Sequence, residues 1–412
     1  MPEQRDIVVV GAGPSGSIAA ALLKRRGWDV LVLEAQQFPR FSIGESLLAH
    51  CLDFVAEAGM MEAVQAAGFQ YKNGAAFVRG TDYGEFDFAD KFTPGRDSTF
   101  QVQRAAFDKL LADEAAKQGV EIRYEVRVAA VDVTSTQSGR PRPRVRAQDA
   151  GREYEVEARF VLDASGFGRT LPKLLQLETP SAFPVRNAVF THVADHAPAG
   201  SFDRNKIQVV IHPRHRDVWY WLIPFPRGRC SLGCVARREF FDAYPTDLDA
   251  RLRQVVAEEP FLARVLANAE WDTPARGLSG YAANVKSMYG PGFALLGNAA
   301  EFLDPVFSSG VTIAMRSASM AAQVLDAQLR GAAVDWQSQF EVPLRKGVDT
   351  FRAYVRAWYD GRFQDIMFAK TQPPEIRRMI CSILAGYAWD ETNPFVAEPE
   401  RRLDMVAKLC AA

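Results

Sequence analysis

Residues 6–34 read DIVVVGAGPSGSIAAALLKRRGWDVLVLE, and no other stretch restricts the fold as much. Residues 7–10 are a short β-branched apolar run, the composition of a strand buried on both faces. Gly11-Ala12-Gly13-Pro14-Ser15-Gly16 follows at once, residues 17–26 have helical composition, and a second apolar run ends on Glu34. The spacing predicts a complete βαβ unit with G-x-G-x-x-G at its first turn and an acid closing its second strand. Each part has a chemical use: Gly11 permits the tight turn, Gly13 admits a pyrophosphate close to the backbone, and Gly16 lets helix approach strand. Unpaired N–H groups at the helix start suit phosphates, and Glu34 suits ribose hydroxyls. An isolated glycine turn would be weak evidence; strand, helix and acid in register point to dinucleotide binding. The motif does not separate FAD from NAD.

The 412 residues suit two or three domains, with the 48% hydrophobic and 24% charged content of a globular protein. A net charge of −1 gives no reason to expect nucleic acid or an anionic membrane as partner. No apolar run reaches membrane-spanning length, and with the first strand expected from residue 7 no leader is expected. Five scattered cysteines fit reduced thiols, so a cytoplasmic location is expected. Cys230 and Cys234 lack a second ligand pair and read as packing residues in a strand, and no metal site is expected.

Farther along, Pro39 and Gly44 mark a loop holding Arg40 and Ser46, both placed to meet a cofactor, and Ser46 is expected to open a helix through Gly59. Lys72 begins strand-like sequence and by itself would be a solvated surface lysine. Arg104 opens a helix reaching about Gln118, and a later strand runs into Asp163-Ala164-Ser165-Gly166, small residues suited to close ligand approach. Trp219 and Trp221 fall on one face of a strand. Gly297-Asn298 follows a buried strand, and Asp304-Pro305-Val306-Phe307-Ser308-Ser309-Gly310-Val311 precedes a helix expected from Thr312 to about Arg330. The free N–H groups of residues 308–311 form an anion site in outline. The rest of the chain reads as helical and aromatic-rich.

Taken together, these residues resemble the flavoprotein monooxygenases of the hydroxybenzoate hydroxylase type. The carriers are the glycine turn with Glu34, Arg104 at its helix start, and Gly297-Asn298 in place of the usual Gly-Asp. Within that superfamily the chain resembles the flavin-dependent halogenases. Trp219-x-Trp221-x-Ile223-Pro224 reproduces their W-x-W-x-I-P motif, Gly44-Glu45-Ser46 their G-E-S segment, and Asp304 to Gly310 their D-P-x-x-S-S-G loop. Lys72 matches their catalytic lysine. Phe307 stands where tryptophan-type members carry a glutamate, so the phenol and pyrrole types are the better match.

The resemblance implies an α/β fold in which an FAD-binding Rossmann-like domain (residues 1–70, 100–180 and 284–330) is interleaved with a sheet-rich substrate-side domain (71–99 and 181–283). A C-terminal helical region (331–412) follows. FAD, supplied as FADH2 by a separate flavin reductase, is the implied cofactor. The residues expected to hold it are Gly11, Gly13, Pro14, Ser15, Gly16, Glu34, Arg40, Ser46, Arg104, Asp163, Gly297, Asn298, Pro305, Gly310 and Val311. Halide is expected on the amides of Ser309, Gly310 and Val311, with Trp219, Trp221 and Phe307 filling the space a hydroxylase gives to substrate. Lys72 would carry oxidised halogen, in a tunnel leading to a second, aromatic-lined pocket, toward an electron-rich phenol or pyrrole, free or tethered to an acyl carrier protein. A hydroxylase, a reductase of the geranylgeranyl type and a flavin-binding partner without turnover are the alternatives.

Overall fold

The computed structural model describes residues 2–181 and 183–411; the last residue of the expected helical region therefore lies outside it. Its first sheet is built on five parallel strands in the order Phe293–Leu295, Arg152–Asp163, Glu3–Val10, Val30–Leu33 and Glu121–Arg123. Antiparallel strands extend it at Tyr289–Gly290 and through Arg144–Asp149 to Arg127–Asp132. Val30–Leu33 is buried along its whole length, as a central parallel strand covered on both faces must be. The Pro14–Arg25 helix packs on the long Ser309–Leu329 helix, so the first and the late motif meet on one side of the sheet.

A second, seven-stranded sheet has the order Arg276–Ser279, Asn187–Ala194, Arg229–Ala236, Trp219–Phe225, Lys206–Ile211, Gly74–Arg79, Asp82–Asp87. All its neighbours are antiparallel except Lys206–Ile211 beside Gly74–Arg79, the join between its two separate runs of chain. The hydrophobic core runs from the first sheet through the inner face of the second and into the C-terminal helices; a separate cluster lies under the Leu248–Ala257 helix. Those terminal helices include Val342–Tyr359, Arg362–Met367, Pro374–Leu384 and Pro399–Ala411.

The structure corrects two element boundaries. Ser46 opens no helix: it forms an isolated bridge to Gln101, and the helix there covers only Cys51–Glu57. The late helix starts at Ser309 rather than Thr312, directly after Ser308 in the left-handed conformation. In both places a backbone hydrogen bond to a distant segment or a single turn residue decides the boundary, and composition does not carry that information.

Candidate active site

The glycine turn divides its work as the spacing predicts. Gly11 has φ +96°, and a Cβ there would lie 2.7 Å from the Ala164 carbonyl oxygen. A Cβ on Gly16 would lie 1.9 Å from the Gly11 carbonyl oxygen, so Gly16 is a packing glycine and does not line the cavity beside it. Gly13 differs. Its φ of −68° suits any residue, and a Cβ would meet only the Arg40 guanidinium, at 3.5 Å. Its missing side chain leaves open the space in front of the Pro14–Arg25 helix. Glu34, buried at the end of its strand, accepts from the backbone N–H of Ala12 at 2.8 Å and of Gln36 at 3.0 Å. The acid is thus oriented by backbone while still lining the cavity.

Arg104 opens the Arg104–Lys117 helix, and its guanidinium donates to both oxygens of Asp108, at 2.7 and 3.0 Å, and to the Ile43 carbonyl at 2.7 Å. Arg40 donates to the same Asp108 carboxylate at 3.0 Å. Two guanidiniums share the fully buried Asp108 carboxylate, and Arg40 also lies 3.9 Å from Glu34, so this part of the cavity wall sets two guanidiniums against two carboxylates. Asp108 escaped the sequence reading, although its place four residues after Arg104 on one helix face was a signal for it.

The cavity encloses about 880 Å³, at the upper end of small-molecule sites at about 300–1,000 Å³. It continues from the glycine turn past Ser165 and Arg104 to the second sheet, where Trp219 and Trp221 form its wall. Phe41, Phe190, Trp221 and Trp219 stand in sequence with ring centroids 5.9, 5.9 and 6.0 Å apart. The Trp221 indole N–H donates to Ser231 Oγ at 3.0 Å, and the glycine at 233 makes room for its ring, since a Cβ there would sit 2.2 Å from the indole. The Trp219 N–H donates to the Tyr359 hydroxyl at 3.0 Å.

Lys72 is not a surface lysine. Its side chain is 0% exposed, and Nζ donates to Ser46 Oγ at 2.8 Å and to the Leu47 carbonyl at 2.7 Å. The Phe88 ring lies 5.3 Å from the amine. Burial among apolar groups pulls its pKa down to about 7, weakly opposed by the Cys51 thiol. Lys72 does not itself line the cavity; Ser46 does, so the amine stands one hydrogen bond behind the wall. In place of the expected tunnel into a second aromatic pocket, the structure has the amine capped by Ser46 and Leu47.

Asp304 accepts from the Val306 N–H at 3.1 Å and so shapes the short turn Pro305–Phe307. Ser308 follows with φ +56°, and the helix start behind it brings Ser308, Gly310 and Val311 to the cavity beside Pro305 and Asn298. Ser309 is buried in the first turn and does not line the cavity. Phe307 turns away from it, packing edge-on against Tyr354, Trp358 and Phe363 at centroid distances of 6.0, 6.0 and 5.1 Å. Asp163 and Gly297 also stand behind the cavity. The Asp163 carboxylate accepts from the backbone of Ser165 and Leu171, and a Cβ on Gly297 would collide with Ala314 at 2.7 Å. These residues build the turns that line the site. The sequence reading also missed the pairing of buried Glu45 Oε1 with the partly buried His192 Nε2, 2.9 Å apart, since nothing links the two residues before the sheets come together.

The cavity fits an FAD: a phosphate approach kept open at Gly13, an oriented acid at Glu34, guanidinium donors at Arg40 and Arg104 in the middle, and helix-start amides at the far end. Comparison with known proteins agrees. The family model described as FAD binding domain matches residues 4–339. The 1H-pyrrole-2-carbonyl-[peptidyl-carrier protein] chlorinase of Pseudomonas fluorescens is 28% identical over 92% of this chain and 89% of its own length. The corresponding brominase of Pseudoalteromonas luteoviolacea is 27% identical over 93% and 92%. Among solved structures, a flavoprotein/dehydrogenase from Cytophaga hutchinsonii superposes with a TM-score of 0.95 at 43% identity, covering 99% of both chains. The flavin-dependent brominase Bmp2 superposes with a TM-score of 0.83 at 25% identity over 98% of this chain and 99% of its own. The chain belongs to the FAD binding domain family and, within it, to the hydroxylase-like flavoproteins that include the flavin-dependent halogenases.

Proposed function

We propose that this protein uses FADH2 and oxygen to oxidise chloride or bromide to hypohalous acid, and that Lys72 directs the oxidised halogen onto an electron-rich aromatic, a phenol or pyrrole. The observation that carries this reading is the buried Lys72 amine held behind Ser46, with its pKa lowered to about 7. Burying an ammonium without a carboxylate partner is unfavourable, and groups held at such a cost concentrate at functional sites. At neutral pH a good share of such an amine is unprotonated, able to hydrogen-bond hypohalous acid or to take its halogen as a haloamine, an N–H proton leaving with the hydroxide as water. Bound FADH2, reacting with oxygen, supplies the two-electron oxidation of halide. The protein's own part is to hold the dinucleotide through Gly13, Glu34, Arg40 and Arg104, and to offer halide the cavity-lining helix start at Gly310 and Val311, behind which Ser309 is buried. Trp219 and Trp221 keep the aromatic substrate off the flavin end of the cavity. The names of the pyrrole-carrier relatives support a substrate delivered on a carrier protein, and a separate flavin reductase would supply the reduced cofactor.

The name of the 43% identical Cytophaga protein, flavoprotein/dehydrogenase, favours a second reading: an oxidoreductase that uses no halide. Mass spectrometry of reactions containing FADH2, oxygen, each halide, and free or carrier-bound phenols and pyrroles distinguishes the two. Halogenated product supports the first reading. Oxygenated or reduced product in its absence supports the second, and tight flavin binding with neither would leave a non-catalytic flavoprotein.

A further inference from the structure

The D-P loop and the tryptophan wall come from segments far apart in sequence, and one side chain of the C-terminal region touches both. The Tyr359 hydroxyl donates to Asp304 Oδ2 at 2.8 Å and accepts from the Trp219 indole N–H at 3.0 Å. Asp304 and Trp219 are buried and Tyr359 is partly buried, and Tyr281, on the cavity wall, reaches the same Asp304 oxygen at 3.4 Å. The Arg186 guanidinium lies 3.4 Å from the centre of the Tyr359 ring and is held by the Asp217 carbonyl at 3.1 Å. Asp217 in turn faces Arg237 at 3.6 Å. Asp304 therefore meets Tyr359 from the Val342–Tyr359 helix, Tyr281 from the segment after the Arg276–Ser279 strand, the Val306 amide of its own turn, and the more distant Arg186 charge.

We propose that Tyr359 is a positioning residue that locks the tryptophan wall to the Asp304-led loop, so that the two sides of the FAD and halide end of the cavity hold one geometry. The inference rests on the functional reading above only in the use it gives that end of the cavity. Asp304 shapes the turn by accepting from Val306, and Tyr359 fixes the carboxylate while leaving its other oxygen free for that bond. Burial raises the Asp304 pKa to about 6, and the Tyr359 hydrogen bond partly restrains that rise. Protonation would place a hydrogen where two tyrosine hydroxyls now donate. The lock is therefore closed when Asp304 is ionised and loosens as pH falls through its folded pKa.

The test compares the parent protein with Tyr359→Phe and Asp304→Asn, each freed of flavin and then titrated with FAD between about pH 5 and pH 8. The indole N–H resonances of ¹⁵N-tryptophan-labelled protein are followed over the same range. Expected for the parent are weaker FAD binding at the acid end and a Trp219 resonance that moves with the same midpoint. Tyr359→Phe should raise the FAD midpoint by at least about half a pH unit and shift the Trp219 resonance at every pH. Asp304→Asn should remove the step, which keeps the proposal testable if the phenylalanine variant does not fold. An FAD profile and Trp219 resonance unchanged in Tyr359→Phe, or a step retained in Asp304→Asn, overturns the proposal. A shifted profile in a protein that forms no halogenated product would sustain the lock and reject the halogenase reading instead.

Discussion

The two ends of the cavity are built by different means. At the dinucleotide end, Gly11, Gly13, Ala12 and Glu34 lie within one βαβ unit, and backbone N–H groups orient the acid. At the tryptophan end, Lys72, Ser46, Trp219 and Asp304 come from four separate segments, held mostly by side-chain hydrogen bonds across sheets and helices. The first end is specified by short-range backbone geometry, the second by packing. The first should therefore tolerate distant change and fail abruptly to local insertion of bulk. At the second, loss of the Lys72 amine should leave FAD in place while removing the chemistry, whereas loosening the Tyr359–Asp304 contact should weaken FAD as well.

The largest effect should come from setting two glycines of the turn against each other. Gly13→Leu should abolish FAD retention with the fold intact, because its side chain would enter open cavity. Gly16→Leu should destabilise the whole protein, on the order of 3 kcal/mol or more, because its Cβ would overlap the Gly11 carbonyl. FAD titration beside thermal melting checks both; a Gly13→Leu variant that binds FAD normally would break the comparison.

At the other end, Lys72→Ala should leave FAD affinity within about twofold while halogenated product disappears, read by FAD titration and product mass spectrometry. Lys72→Arg should also fail, since a guanidinium stays protonated and is too large for a site closed by Ser46 and Leu47. Near-parental halogenation by the alanine variant would show that the amine is structural.

A smaller and opposite sign is expected in stability. The Lys72 pKa falls from its ordinary 10.5 to about 7 on folding, so between those values the unfolded chain holds more protons at this site. This group's penalty is complete below pH 7 and is relieved as pH rises toward 10.5. Lys72→Met should remove that dependence and stabilise the protein at neutral pH by roughly 1–4 kcal/mol. Denaturant unfolding at two pH values measures it. The smallest effect should be that of Asn298→Asp, which restores the residue usual in the superfamily at the cavity wall: FAD affinity should change by no more than about threefold.

The cofactor end was legible from the sequence because its information is local. A glycine three bonds from a strand end has one conformational use, and an acid at the end of the next strand has one direction to face. The tryptophan motif announced its own strand face by the alternation of side chains. What the sequence could not determine was where distant segments meet. Phe307 sits beside cavity residues in the chain yet turns into the aromatic cluster with Tyr354 and Trp358. Asp163 and Gly297 support the cavity rather than line it. Lys72 looks like any strand-start lysine until the Gln70–Lys72 strand pairs with Thr99–Gln101 and the Ser46 loop closes over the amine. Burial, and with it the lowered pKa, is a property of the assembled interior: desolvation sums over neighbours from every packed element. Local spacing therefore determined what this protein binds, and only the tertiary structure decided which side chains stand close enough, and dry enough, to do chemistry on it.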